Sequence, residues 1–599
     1  MANYILGISC YYHDSAAALL KDGELIAAAQ EERFSRKKHD SDFPTLAIRF
    51  CLQQAGITAE QLDYVVFYEK PLVKFSRILQ TSVATFPKSW KSWREAIPTW
   101  FRQKLWIKNH IMSEVGVSAD RVLFCDHHHA HAASAFYASP FEEAAVLTVD
   151  GVGEWTTTAL GVAKGSFDNS LPCEINLFAE QRFPHSIGLL YSTFTAWLGF
   201  QVNEGEYKVM GMSPYGQPRY VDKVYEVVRV NEDGSFRLNM DYFAFHWSLN
   251  DSYSDKFVKL FGKPRVKESD FFTAATHPDR AGLPETEQNQ YYADVAASIQ
   301  YVTEEILLKM LHHLHQQTGQ KNLVMAGGVA LNSKANYRLL FETPFEEMFI
   351  QPAAGDDGGA LGAALWAYHE VMKQPRKFVM QHAYYGSEYS DEEIRAFLTE
   401  NNIPFETFES DATLIDEVAS CIVDGQIVGW FQGRFEWGPR ALGNRSILAD
   451  PRRPEMKDIV NARIKFREPF RPFAPVVLAE YAEEYFEFPN VGQHSCARYM
   501  LMVAPVKPDK QAKTPATTHE GGTGRLQLID RETNPRYYDL IKAFYDKTGV
   551  PVLLNTSFNL RGEPIVTTPQ NAYNTFQASG IDLLVLGSYL VRKSSLEKA

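Results

Sequence analysis

YILGISCYYHDSAAALLKDGELIAAAQEERF, residues 4–34, reads as a three-stranded ribbon: an apolar strand, a His13–Asp14 turn, a second strand, an Asp22–Gly23 turn and a third strand. About 140 residues later the scheme returns. AAVLTVDGVGEWTTTALGVAKGSFDN, residues 144–169, followed by INLFAEQRF, residues 175–183, gives an apolar strand, an Asp150–Gly151 turn, a second strand and a third. A pattern that occurs twice in one chain predicts two related halves, each built on its own sheet.

Helical stretches follow each ribbon, at residues 46–55 and, with capping and apolar periodicity, at residues 292–316. Duplicated ribbon-plus-helix halves resemble the layout of the actin/sugar-kinase/heat-shock ATPase superfamily, whose nucleotide lies between the halves. LVMAGGVALN, residues 323–332, fits that expectation: a buried strand runs into Gly327–Gly328 and then a helix start at Asn332, a geometry suited to an adenosine or phosphate group. Gly355 opens a second tight turn, GDDGG, before the helix ALGAALWAY.

At 599 residues the chain exceeds the roughly 250–300 residues that one core supports, so at least two domains are expected. A composition change at residues 370–390 divides it into residues 1–375, a linker 376–390, and residues 391–599. The six cysteines are scattered with no C-x-x-C pair, which argues for reduced thiols and against zinc fingers. No run of about 18 apolar residues and no leader pattern is found, so a cytoplasmic protein without a membrane partner is expected.

DHHHAH, residues 126–131, places His127 and His131 at i, i+4 on one helical face, the spacing a divalent metal needs. Asp150 at a strand end and Asp356 in the GDDGG turn are the carboxylates that complete the set. Two imidazoles and two carboxylates suit Fe(II) first, with Mn(II) or Zn(II) as alternatives. Helix capping and packing is the plain alternative for these histidines, and His128 and His129 are read as structural. Residues 431–475 hold ten Lys or Arg against five acids, a net +5 inside a chain of net −13. Such a basic island implies an anionic ligand, and its glycines and prolines predict a rigid looped wall rather than a helix.

HDSAAALL, EERFSRKKH, HHHAHAASAF, DGVGE, GEYKVMGMSPYG, GGVALN, FQGRFEWGPRALGNRSILADPR, KFREPFRPFAP and GVPVLLNTSFNLRGEPIV occur in an order that resembles the nodulation-type O-carbamoyltransferases, along nearly the whole chain. The resemblance implies an α/β N-terminal domain, a duplicated actin/sugar-kinase-like ATPase similar to the tRNA-threonylcarbamoylation ATPase, then an α+β YrdC-like domain. It implies an ATP-dependent enzyme that converts carbamoyl phosphate to carbamoyl-adenylate and transfers the carbamoyl group to a hydroxyl of a small natural product. Carbamoyl-phosphate contacts carry over to Lys465, Arg471, Arg525 and Ser557, with Arg440 as a further candidate. Asn555, in the same strand end as Ser557, is suited to orienting a carbonyl. ATP with Mg(II) is expected at Gly327, Gly328, Asn332 and Gly355, with Lys208 in its glycine-flanked stretch as a further nucleotide contact. His13 or Asp14 is the choice for the base that takes the hydroxyl proton. Lys37 and Lys38 are cationic candidates for acceptor or nucleotide contacts.

Three other readings compete. Hydrogenase-maturation carbamoyltransfer requires an acylphosphatase module and paired C-x-x-C fingers, which this chain lacks. A tRNA-threonylcarbamoylation-type enzyme requires a wider basic footprint than one island, and no nucleic-acid partner is expected. A non-catalytic nucleotide- and metal-binding regulator would not need a second anion site. The acceptor stays open at this stage; aromatic residues in 73–108 and 241–273 are candidates for a lid, an acceptor pocket or a homodimer contact.

Overall fold

The computed structural model describes residues 2–102, 104–468 and 470–596. The chain forms two compact units, Met1–Ile26 with Ser41–Val379, and Ala27–Asp40 with Met380–Ala599. The boundary between Val379 and Met380 falls inside the stretch read as a linker. The contiguous division at residue 375 needs one correction: residues 27–40 belong with the second unit. There Arg33 Nη2 donates to the Gly438 carbonyl at 2.7 Å, and Arg36 donates to the carbonyls of Ile565 at 2.6 Å and Pro564 at 2.7 Å.

The first sheet comprises β1 (Tyr4–Ser9), β2 (Ala16–Lys21), β3 (Glu24–Gln30), β4 (Tyr64–Phe67) and β5 (Val122–Phe124), ordered β3-β2-β1-β4-β5. β1 runs antiparallel to β2, from Tyr4 opposite Lys21 to Ser9 opposite Ala16, and parallel to β4. The second sheet contains β6 (Glu143–Val149), β7 (Thr156–Lys164) and β8 (Glu174–Arg182). After a short hairpin of β9 (Val228–Val230) and β10 (Phe236–Leu238), it is completed by β11 (Asn322–Ala326) and β12 (Glu347–Phe349), in the order β12-β11-β6-β7-β8. β6 is antiparallel to β7 and parallel to β11. Counted within each half, both sheets read third, second, first, fourth, fifth, with the same strand directions where the pairings correspond. The duplication seen in the sequence is therefore a duplication of topology, the actin/sugar-kinase-like arrangement of an α/β protein.

Small residues bring the helices of this unit unusually close to the strands. A Cβ on Gly7 of β1 would fall 1.8 Å from the Ala360 carbonyl oxygen, and one on Gly362 would fall 1.8 Å from that of Ala130. The helix Asp356–Trp366 is thus clamped between β1 and the helix His127–Phe136, both of which are nearly wholly buried. Alanine-rich helices satisfy this packing because nothing larger fits. The periodic helix expected at 292–316 extends over Pro284–Thr318. Its first turns carry polar side chains, so apolar periodicity understated its length.

The second unit is α+β. Its sheet runs β13-β21-β20-β14-β15-β19-β16-β18-β17. The strands are β13 (Glu406–Thr407), β14 (Val428–Phe431), β15 (Arg445–Ala449), β16 (Ala474–Leu478), β17 (Met502–Pro505), β18 (Thr523–Ile529), β19 (Val552–Ser557), β20 (Leu583–Leu586) and β21 (Tyr589–Arg592). The basic stretch 431–475 is a looped wall only in part: β15 crosses it and the helix Met456–Val460 follows. The loop before β15 is organised from within. The buried Glu436 carboxylate accepts from the amides of Leu442 at 2.8 Å, Asn444 at 2.9 Å and Arg445 at 3.2 Å.

Candidate functional site

In the first unit, the helix clamp places four donors together. His127 and His131 face the same side of their helix, Asp150 follows the last residue of β6, and Asp356 is the first residue of its helix. All four are buried, and their donor atoms lie within 4.8 Å of one another. His127 Nε2 is 3.0 Å from His131 Nε2, 3.2 Å from Asp150 Oδ2 and 3.6 Å from Asp356 Oδ1; His131 Nε2 is 3.6 Å from Asp356 Oδ1.

Burial opposes charge here and is overcome by the pairing. It pulls the His127 imidazole down, yet Asp356 and Asp150 push its pKa up to about 9. Burial likewise raises Asp150, while the His127 hydrogen bond, the His131 charge and the Gly328 amide bring it well below the usual carboxylate range. Asp356 Oδ1 and both Nδ1 atoms have no hydrogen-bond partner among the described residues. Two Nε2 atoms facing each other share one proton at most, and a cation in its place would take both lone pairs. Donors about 2.1 Å from a common centre at right angles stand about 3 Å apart, which matches the closest pairs. The residues fit a divalent cation. His128 does not join them: its ring contacts Thr148 Oγ1 and the Thr156 carbonyl, both at 2.8 Å, and burial first and then the neighbouring histidines depress its pKa to about 3.

His13 and Asp14 sit at the edge of this cluster. His13 Nδ1 is 2.9 Å from Asp14 Oδ2, and His13 Nε2 is 4.0 Å from Asp356 Oδ2. Asp14 has φ +50, so the turn is held in a sparsely populated conformation. Burial disfavours the imidazolium of His13, but Asp356, Asp14 and Asp150 outweigh it and raise its pKa to about 10.

Three of the expected nucleotide residues meet the cluster. The Gly327 amide donates to the Ala354 carbonyl, beside Gly355, and the Gly328 amide donates to Asp150 Oδ1 at 2.9 Å. Gly327 has φ +97, and a Cβ there would lie 2.2 Å from the Val149 oxygen. The Asn332 side chain has a different task, accepting from the Ala335 amide at 3.2 Å to cap the helix Ser333–Phe341 and exchanging bonds with the Gln300 amide. The buried Lys208 ammonium is ion-paired with Glu268 at 3.2 Å. Two residues absent from the sequence reading line this region. Glu154 accepts from the amides of Lys70 at 2.7 Å and His127 at 3.2 Å. Lys334, whose pKa burial lowers, donates to Ser213 Oγ at 3.2 Å.

The second unit gathers the basic residues on one sheet face. Asn555 and Ser557 alternate onto the same side of β19, and Arg525 and Gln527 share a side of β18; the Asn555 Nδ2 to Gln527 Oε1 bond, 2.7 Å, joins the two pairs. Asn555 also donates to the Ala441 carbonyl at 3.2 Å, next to Arg440. Lys465 is buried, and its ammonium donates to the Ser557 carbonyl, to Ser557 Oγ at 3.2 Å, to the Asn559 carbonyl at 3.1 Å and to Asn559 Oδ1 at 2.8 Å. Burial, then the charges of Arg467 and Arg471, and more weakly Lys38, take its pKa well below the ordinary lysine value. Lys38 therefore lies with this basic cluster. Beside Arg525, His519 is held neutral at about 3 by burial, and its Nε2 donates to the Phe473 carbonyl at 3.1 Å. Asn559 and His519 were not singled out from sequence; only the S-x-N spacing at 557–559 hinted at the former.

The profile described as carbamoyltransferase N-terminus matches residues 4–365, and the one described as carbamoyltransferase C-terminus matches residues 419–593. An uncharacterized protein of Synechocystis is 45% identical, covering 99% of this chain and 97% of its own. Nodulation protein NolNO of Sinorhizobium fredii is 37% identical over 97% of this chain and 79% of its own, and nodulation protein NolO of Bradyrhizobium diazoefficiens is 38% identical over 78% and 79%.

Proposed function

Because the chain belongs to the carbamoyltransferase family, we propose that it is an ATP-dependent O-carbamoyltransferase acting on a hydroxyl of a small natural product, with carbamoyl phosphate as donor. The observation that carries this reading is the buried set His127, His131, Asp150 and Asp356, reached by the Gly328 amide through the same Asp150.

In the second unit, Lys465 with Arg471, Arg525 and Arg440 would hold the dianion of carbamoyl phosphate, while Ser557 and Asn555 orient its carbonyl. Attack of water on that carbonyl breaks the bond to the bridging oxygen and releases phosphate and carbamate. In the first unit, a carbamate oxygen attacks the α-phosphorus of ATP, forming carbamoyl-adenylate and expelling pyrophosphate. Gly327, Gly328 and Gly355 supply close backbone approach to the nucleotide. A divalent cation, Fe(II) in our assignment, held by the two histidines and two aspartates would neutralise phosphate charge and supply Lewis acidity. The acceptor hydroxyl then attacks the carbamoyl carbon, AMP leaves, and the hydroxyl proton passes to the His13–Asp14 pair. Asp14 orients the imidazole, and the carboxylates that now hold His13 protonated are the ones a bound cation neutralises.

The test is exchange of labelled pyrophosphate into ATP by the purified protein supplied with metal. Exchange that requires carbamoyl phosphate and disappears in both Lys465→Ala and His131→Ala is expected. Exchange independent of carbamoyl phosphate, or its absence with every divalent metal, defeats the reading.

A further inference from the structure

Residues 70–108 contain nine Lys or Arg and one acid, Glu95, a net +8 inside a chain of net −13. They form the helices Pro71–Ala84, Trp90–Arg102 and Ile107–Ile111. Three of the cations face inward: Lys74 pairs with buried Glu69, Arg77 is buried over the Phe183 ring, and Lys104 donates to the Tyr11 carbonyl. The other face is what the protein core does not use. Leu72, Val83, Phe86, Trp90, Phe101 and Trp106 are 72, 70, 67, 57, 55 and 57% exposed. On the first helix Leu72, Leu79 and Val83 recur at i, i+7 and i+11, one continuous stripe. The rings of Phe86 and Trp90 meet edge to face at 6.5 Å, and the Phe101 carbonyl accepts from Trp106 Nε1 at 2.7 Å. Lys88, Lys91, Arg94 and Lys108 are exposed in the same segment.

Exposed tryptophan, phenylalanine and leucine interspersed with exposed cations suit the boundary of an anionic bilayer: the aromatics settle at headgroup level and the cations are drawn to lipid charge. A second copy would bring the exposed Lys88, Lys91, Arg94 and Lys108 of two such segments face to face, an arrangement opposed by like-charge repulsion. A nucleic acid would leave the aliphatic stripe in water. None of the described helices is long and apolar enough to cross a membrane, so contact of this kind is peripheral. We propose that residues 70–108 are a docking surface for an anionic phospholipid bilayer, a property separate from the transfer reaction.

The full chain is floated with phosphatidylcholine vesicles and with phosphatidylcholine vesicles containing phosphatidylglycerol, at low and raised salt. Retention about tenfold higher on the phosphatidylglycerol vesicles, falling as salt rises, is expected. The Phe86→Asp/Trp90→Asp variant loses retention with an unchanged Tm. Lys88→Gln/Lys91→Gln weakens retention and flattens its salt dependence, which keeps the test open should the aromatic variant not fold. Equal retention on both vesicles, retention on neither, or retention indifferent to both variants overturns the proposal. So does a dimer in sedimentation that Phe86→Asp/Trp90→Asp converts to monomer, since the patch then belongs to a second copy.

Discussion

His127 Nε2 and His131 Nε2 stand 3.0 Å apart in a buried cluster that also contains Asp150 and Asp356. Two imidazoles and two carboxylates at that spacing leave Asp356 Oδ1 without a hydrogen bond among the described residues, and a cation would take up the donors together. Binding to the folded chain alone stabilises it by roughly 2.7 kcal/mol at a metal concentration of 100 times Kd. Fe(II) or Mn(II) is expected to raise Tm by a few degrees and chelation to lower it. His131→Ala is expected to abolish that increment and the bound metal measured by elemental analysis. An unchanged metal-dependent Tm in that variant shows that the cation sits elsewhere.

Arg77 supplies a second test. It is 7% exposed, stacked 4.9 Å from the Phe183 ring centroid, and its guanidinium forms no hydrogen bond or ion pair among the described residues. Burial pulls its pKa down to about 10 against the pull of Tyr12, Glu69 and Glu154. A contact with an aromatic face does not replace the hydrogen bonds a guanidinium gives up on burial, so an apolar side chain of similar volume loses little stability at this position. Arg77→Met is therefore expected to hold or raise Tm in thermal denaturation. A clear fall in Tm shows that the attraction of Glu69 and Glu154 outweighs the burial of the guanidinium.

Much of this organisation was legible in the sequence, for reasons that can be located. Asp22–Gly23 and Asp150–Gly151 end strands whose burial forces apolar runs, so the duplicated ribbons stand out. His127 and His131 are four residues apart on a helix, and Asp356 sits in a turn rich in glycine. What stayed hidden depends on contacts distant in sequence. Arg33 and Arg36 bond to carbonyls more than 400 residues away, which puts residues 27–40 in the second unit with no local signal. The RSILA strand at 445–449 was masked by its own arginine and the arginines around it. Arg445 itself is fully buried, its guanidinium bonded to the Gln432, Gly433 and Asn444 carbonyls.

Lys465 predicts a protonation signature. Its pKa in the fold lies well below the ordinary lysine value of about 10.4, so the unfolded chain binds more protons between those two values. Stability from this group therefore rises with pH across that window and is lost as pH falls through the folded value. Burial and the charges of Arg467 and Arg471 cause the depression, and a bound dianion opposes both by favouring the ammonium. Binding of inorganic phosphate, measured calorimetrically in buffers of different ionisation enthalpy, is expected to take up protons, and Lys465→Met is expected to remove both the uptake and most of the affinity. Binding with no proton uptake places the anion away from Lys465.

Gly362 tests whether the helix clamp serves the metal donors as well as the fold. A Cβ at this position would lie 1.8 Å from the Ala130 carbonyl oxygen and 2.9 Å from the Ser134 nitrogen, both in the helix that carries His127 and His131, while Gly362 itself lies in the helix that begins with Asp356. Gly362→Ala cannot be absorbed by a side-chain rotation, because the obstruction is backbone. The two helices must separate, at about 1–3 kcal/mol in stability, and Asp356 moves relative to His131. The expected result is a lower Tm together with weaker metal binding. Gly492→Ala, where no atom lies within 4 Å of the new Cβ, is the control expected to change neither. A Gly362→Ala protein that loses stability but binds metal with unaltered affinity would show that the donor geometry is set by the strand ends and not by the helix contact.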